Sequence, residues 1–189
     1  IDDARHWFTE QLGTHVRFET PPVAVDHPSW DMTIDCTFCA NDAENIDRFE
    51  PCVTALLKGP TDKAVTIMDG PFGSIYPWSE PNELCSLTSA KFTPITKDCR
   101  THAEARRILN AQTSDLLARR GENMLNQMSH YWPACREMFK IVDYKLTIRA
   151  MPRSAADSRL VDVVRVGERA LRVRAGKIDA VFHAERIIK

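Results

Sequence analysis

Residues 64–94 read AVTIMDGPFGSIYPWSEPNELCSLTSAKFTP. Two strand signals flank a turn-rich middle. Ala64–Met68 and Leu84–Thr93 carry β-branched residues at a period of two, which is the pattern of half-buried strands. The prolines and glycines between them (Pro71, Gly73, Pro77, Pro81) predict bends or bulges. Asp69–Gly70–Pro71 is good turn chemistry in its own right. On Leu84–Thr93, strand alternation puts Ser89, Lys91 and Thr93 on one face and Ser86, Thr88, Ala90 and Phe92 on the other. A row of polar side chains on a strand is either a solvent face or the lining of a site.

Working outward, Asp2 or Asp3 caps a first helix with Ala4, Trp7, Phe8 and Leu12 as its apolar stripe, and Gly13 ends it. Met32, Ile34 and Cys36 alternate with Thr33 and Asp35 as a strand. Arg48–Leu57 fits strand better than helix, because Pro51 disfavours a helix interior and Val53 and Thr54 are β-branched. Thr101 and Glu104 form a capping box that opens a helix through about Arg120. Gly121 is expected to interrupt it, and Met124, Leu125, Met128 and Trp132 define a second helix. Pro133 starts a short turn through Met138. Val142, Tyr144, Leu146 and Ile148 then alternate with Asp143, Lys145, Thr147 and Arg149, the clearest half-buried strand in the chain. Leu160–Val166 and Ala170–Arg174 flank Gly167–Glu168 as a hairpin, and Gly176–Lys189 leans to helix. The order of elements gives the α+β class, with a mixed, largely antiparallel sheet and helices packed on one side.

The 189 residues carry a net charge of −1, with 43% hydrophobic and 27% charged residues. That balance implies no broad attraction to nucleic acid or to an anionic membrane. No apolar run reaches the roughly 20 residues of a membrane span. The chain opens at Ile1 in a structured-looking segment, which reads as a truncated or processed piece. Six cysteines at irregular spacing (36, 39, 52, 85, 99, 135) favour free thiols and a reducing, cytoplasmic setting, with disulfides as the minority alternative. Cys36 and Cys39 have the spacing of a zinc or redox pair, but no second pair accompanies them, so two small buried thiols are expected and no metal. The six histidines show no pairing. The seven glycines are scattered, and G-x-G-x-x-G occurs nowhere, although a dinucleotide's pyrophosphate needs that turn at a helix N-terminus.

Several blocks resemble the D-amino-acid-oxidase-like family of FAD-dependent oxidoreductases. They are WDMTIDCTFCAND (30–42), RFEPCVTALLKGP (48–60), TIMDGPFGSIYPW (66–78), SLTSAKFTP (86–94), LTIRAMPRSAADSRL (146–160) and RVRAGKIDAVFHAE (172–185). The resemblance implies a substrate-domain half, with residues 1–45 ending an FAD-binding half, 46–150 binding substrate and 151–189 returning to the FAD-binding half. Asp35–Cys36–Thr37 is similar to the strand end that brings backbone to the flavin, and Ala175–Gly176–Lys177–Ile178 to the family's return. Cys36, Thr37, Gly176 and Lys177 are therefore the implied cofactor residues. Ser74, Tyr76, Lys91 and Arg149 are the implied substrate residues; an arginine fork suits a carboxylate. No catalytic residue is named. The implied function is oxidation of a small amine or hydroxyl substrate by hydride transfer to FAD, with the FAD held in the full-length protein and not retained by this chain alone. The expected partners are a small-molecule substrate and a missing N-terminal FAD-binding half. An exposed strand edge around Met32–Cys36 also points to a homodimer. The alternative is a non-catalytic binding or assembly module without the nucleotide-binding half.

Overall fold

A computed structural model of the chain describes residues 2–15, 28–37, 46–68, 70–79, 81–152, 162–174 and 186. Helix α1 spans Asp2–Leu12 and a 3-10 turn follows at Gly13–His15. The strands are β1 (Thr33–Asp35), β2 (Ile46–Lys58), β3 (Val65–Ile67), β4 (Gly73–Ser79), β5 (Leu84–Ser89), β6 (Lys140–Pro152), β7 (Asp162–Gly167) and β8 (Ala170–Arg174). Between β5 and β6 lie α2 (His102–Asn110), α3 (Ser114–Tyr131) and α4 (Cys135–Met138). A five-stranded antiparallel sheet has the order β3-β4-β5-β2-β6, and a three-stranded sheet the order β1-β8-β7 with β1 parallel to β8. This is the expected α+β architecture.

The long strand β2 organises the larger sheet. Its Val53, Ala55 and Leu57 join Ile75, Cys85 and Leu87 from β4 and β5 against Met124, Leu125 and Met128 of α3 and Cys135 of α4. Phe49, nearer the start of β2, packs instead on Cys99 and on Ala105 of α2. Helices α2–α4 thus cover one face of the sheet. Pro51 is tolerated in the middle of β2 because β5 has ended there. The irregular segment 93–99 takes its place, accepting from the N–H of Val53 at Thr93 and from that of Phe49 at Cys99, while the Pro51 carbonyl accepts from Ile95 N–H at 2.8 Å.

Several expected boundaries move. The Thr101 cap forms as read, its Oγ1 accepting from Glu104 N–H, while the Glu104 carboxylate reaches one residue farther back and accepts from Arg100 N–H at 2.9 Å. Gly121, however, does not interrupt a helix. The break falls at Ala111–Thr113, where Thr113 caps α3, and Gly121 lies inside that helix. A Cβ there would stand 2.7 Å from the Tyr144 hydroxyl, so the glycine serves close packing of α3 on β6. The turn expected between β3 and β5 is itself largely a strand, β4, which admits Pro77 through a register shift between Pro77 and Ser79. The strand expected through Thr93 stops at Ser89, whose hydroxyl accepts from the N–H groups of Lys91 and Phe92 and so turns the chain. On β6, a second register shift makes Val142 the extra residue. Ile141 and Tyr144 face the core, and Val142 is exposed. The segment Gly176–Lys189, Arg186 apart, lies outside the described residues.

Candidate functional site: the far face of the five-stranded sheet

Residues directly opposite each other in an antiparallel pair share a face. The rung Val65–Ile75–Leu87–Ala55–Tyr144 faces the helices. The adjacent rung faces the other way. Thr66 pairs with Ser74, Ser74 with Thr88, and Thr54 with Lys145, while one further step in the β2–β5 register sets Thr54 opposite Thr88. Five strands therefore contribute Thr66, Ser74, Thr88, Thr54 and Lys145 in sequence across the sheet. The neighbouring rung on the same face is Tyr76–Ser86–Leu56–Asp143.

Hydroxyls dominate this surface. Tyr76 Oη and Thr66 Oγ1 are 2.5 Å apart, and Thr66 Oγ1 lies 3.2 Å from Ser74 Oγ. Tyr76 is 46% exposed and Ser74 is buried, so the three form a hydrogen-bonded file leading inward. Ser86 Oγ donates to the Tyr76 carbonyl. Thr54 and Thr88 are half-buried and make no side-chain hydrogen bond among the described residues. The structure thus brings the expected Ser74 and Tyr76 together and adds Thr66, Thr54 and Thr88. Periodicity could not find these three, because strand register is not written in any single strand.

Farther along β2 the same face carries an ionic cluster. Glu50 is 1% exposed and accepts from Arg48 Nε at 3.0 Å and from Arg149 Nε at 2.9 Å; Arg149 Nη2 also pairs with it. Burial by itself would raise this carboxyl. Hydrogen bonds from Arg149 and then Arg48, reinforced by their charges, more than offset that and hold it below the ordinary glutamate range. Arg149 therefore spends its fork on Glu50. Cys52 lies next on this face opposite Thr147, and burial pushes its thiol up to about 11, so it stays protonated.

Lys91 lies on the opposite side. It borders a cleft of about 360 Å³ with Phe92, Pro71 and the α3 residues Asn123, His130 and Tyr131, and its ammonium stands over the Phe92 ring. The structure does not bring Lys91 and Arg149 to one place.

At the end of β1, Asp35 accepts from Thr37 N–H at 2.9 Å, Thr37 Oγ1 at 2.7 Å and Arg172 Nε at 2.9 Å. Burial opposes ionisation of Asp35, but these bonds, the Thr37 hydroxyl first, prevail and lower its pKa. Cys36, expected to be a buried thiol, is instead exposed because β1 ends at Asp35 and the chain turns outward there; partial desolvation followed by the Asp35 charge raises its thiol. The Thr37 N–H and hydroxyl are both engaged within the protein. Gly176, Lys177 and Cys39 lie outside the described residues. Among the described residues no cluster of three or more metal-ligating side chains forms, and no helix is long and apolar enough to cross a membrane.

No family model matches the chain, and no solved structure matches it. Over 171 residues it is 32% identical to the FAD-dependent monooxygenase FPY4 of Fusarium mangiferae, an alignment that takes in 88% of this chain and 45% of that relative. The chain spans less than half the length of the curated relative it matches. The likeness supports the FAD-dependent oxidoreductase part of the resemblance; the D-amino-acid-oxidase-like branch rests on the sequence blocks alone.

Proposed function

We propose that this chain is the substrate-side portion of an FAD-dependent oxidoreductase, and that the far face of the five-stranded sheet lines its substrate pocket. The observation that carries the reading is the two-sidedness of that sheet. Helices seal one face with an apolar core, while the other carries the hydroxyls of Thr66, Ser74, Tyr76, Ser86, Thr88 and Thr54 beside Leu56, with Tyr76 the exposed member and Ser74 and Leu56 buried. The likeness to an FAD-dependent monooxygenase along 88% of the chain supports the cofactor and the reaction class. That relative's name favours insertion of an oxygen atom. The resemblance in the sequence blocks favours removal of hydride from an amine or hydroxyl group. In either case the described residues bind and orient the substrate.

The described residues do not fit the dinucleotide itself. A pyrophosphate needs free backbone N–H groups at a glycine-permitted turn. The Thr37 N–H is already spent on Asp35, and the sequence holds no G-x-G-x-x-G. In this proposal the phosphates are held by other residues, and β1, β7 and β8, drawn from the two flanks of residues 46–152, adjoin that part. Arg149 serves chiefly as a partner of Glu50. The 189-residue chain purified alone is expected to be colourless. The product of the complete coding region should show the absorption bands of bound flavin near stoichiometry after gel filtration. A colourless full-length protein would instead support a binding or assembly module.

A further inference from the structure

We infer that the rung Thr66–Ser74–Thr88–Thr54 recognises a neutral substrate carrying several hydroxyl or carbonyl oxygens. This rests on the reading of the far face as the substrate pocket and names the class that pocket takes. A serine or threonine hydroxyl both donates and accepts, so a row of them complements ligand oxygens of either kind. From β3 to β2 the rung and its neighbours Tyr76 and Ser86 carry no formal charge. The nearest cation is Lys145 of β6, exposed at the rung's end; Arg149 farther along β6 is committed to Glu50, and Lys58 at the end of β2 pairs with Glu83. The exposed Asp143 ends the neighbouring rung, also on β6, so a carboxylate or ammonium placed over β4 and β5, with β2 between, would be desolvated without an adjacent counter-charge, which is costly.

The hydroxyls also have unmet capacity. Thr54 and Thr88 are half-buried with no side-chain partner among the described residues. Ligand oxygens would supply those partners, and an analogue lacking the oxygens would leave them unpaired; that asymmetry gives polar sites their selectivity. Strands repeat at about 4.8 Å across a sheet, so successive hydroxyls suit oxygens set about that far apart on a rigid frame.

The test uses the 189-residue chain with two probes that share a ring. Phloroglucinol is neutral, with three hydroxyls about one strand spacing apart, about 4.8 Å; benzoate carries a single anionic group. Methyl resonances of Thr54, Thr66 and Thr88 report binding. Phloroglucinol should shift all three, and benzoate should shift them little. Thr88→Val and Thr54→Val, which keep the shape and lose the hydroxyl, should each weaken phloroglucinol by about fivefold, the scale of one net hydrogen bond. Thr88→Ser should retain binding. The inference is overturned if phloroglucinol leaves the methyls unmoved, if benzoate binds more tightly with shifts centred on Arg149, or if folded valine variants bind as before. Binding on this face requires no flavin. A colourless full-length protein whose rung still binds phloroglucinol defeats the flavoenzyme reading alone, and a flavin-loaded one whose rung ignores it defeats this inference alone.

Discussion

Glu50→Gln is expected to destabilise the protein by about 2–3 kcal/mol at neutral pH and to flatten the acid side of its stability profile. Glu50 is fully buried between two arginines whose side chains are each 34% exposed. Removing one partner of a fully buried pair costs about 3–5 kcal/mol. The arginines here keep access to water, which lowers the figure. The pH dependence follows from the depressed folded-state pKa. Protonation is harder in the folded state than in the unfolded one, so the stabilisation is fully present above the ordinary carboxyl value of 4.5 and is lost as pH falls through the lower folded value. Asp35, held down in the same direction by Thr37 and Arg172, adds to the same acid limb. Urea unfolding at a series of pH values from neutral to about 3 checks both parts, that span covering the ordinary carboxyl values. A Glu50→Gln protein with unchanged midpoints at neutral pH would show that the two arginines find adequate solvation without it.

The second large effect is expected at Gly59, where β2 ends. The turn from α4 into β6 passes directly over this residue. An added Cβ would stand 2.6 Å from the Met138 carbonyl oxygen and 2.5 Å from Phe139 Cδ1. The first contact is with backbone and cannot be relieved by a rotamer change. The Gly59 N–H is also tied to the Glu83 carbonyl at 3.0 Å, so the glycine cannot move away without breaking that bond. Gly59→Ala should therefore cost about 2–3 kcal/mol, the upper range for overpacking. Gly121→Ala should cost less, because the obstructing atoms belong to the Tyr144 and Ile141 side chains and the helix gains from alanine. Thermal unfolding of the two variants side by side gives the comparison; equal melting temperatures would contradict it.

These residues also show how far local pattern reaches. Proline and β-branching for β2, capping chemistry for Thr101 and Pro133 for the short turn that forms α4 were sufficient, because each is determined within a few residues. Gly121 misled because its cost to a helix is local while its reason is Tyr144, more than twenty residues on. The period of β5 ran visibly into Lys91 and Thr93, and the strand stops because Ser89 bonds back to its own turn, its hydroxyl accepting from Lys91 and Phe92 N–H and its N–H donating to Thr93 Oγ1. The bulge at Val142 likewise reverses one side chain in an otherwise regular pattern. Of the proposed pocket face, Ser74 and Tyr76 were already expectations carried by the block 66–78. Thr66, Thr54 and Thr88 join it only through the strand register, because a rung runs perpendicular to the chain. Glu50 was missed because its importance depends on arginines at positions 48 and 149, on two different strands.

The pairing of β1 with β8 has a consequence for the order in which the molecule assembles. Asp35 and Arg172 meet across 137 residues of sequence, and the whole five-stranded unit lies between them. Closing a loop of that length from a disordered chain is entropically expensive, and the reward is a three-residue parallel pair with one buried ion pair. Once β2–β6 have formed, most of that loop is already compact and the closure costs far less. The β7–β8 hairpin is local, but the β1–β8 pairing is then expected to close late, as a clasp on a body already formed, in keeping with the slowness of non-local parallel pairing. Native-state hydrogen exchange should accordingly show the amides of Thr33–Asp35 opening at lower free energy than those of Val53–Leu57, with the clasp parting while the larger sheet stays closed.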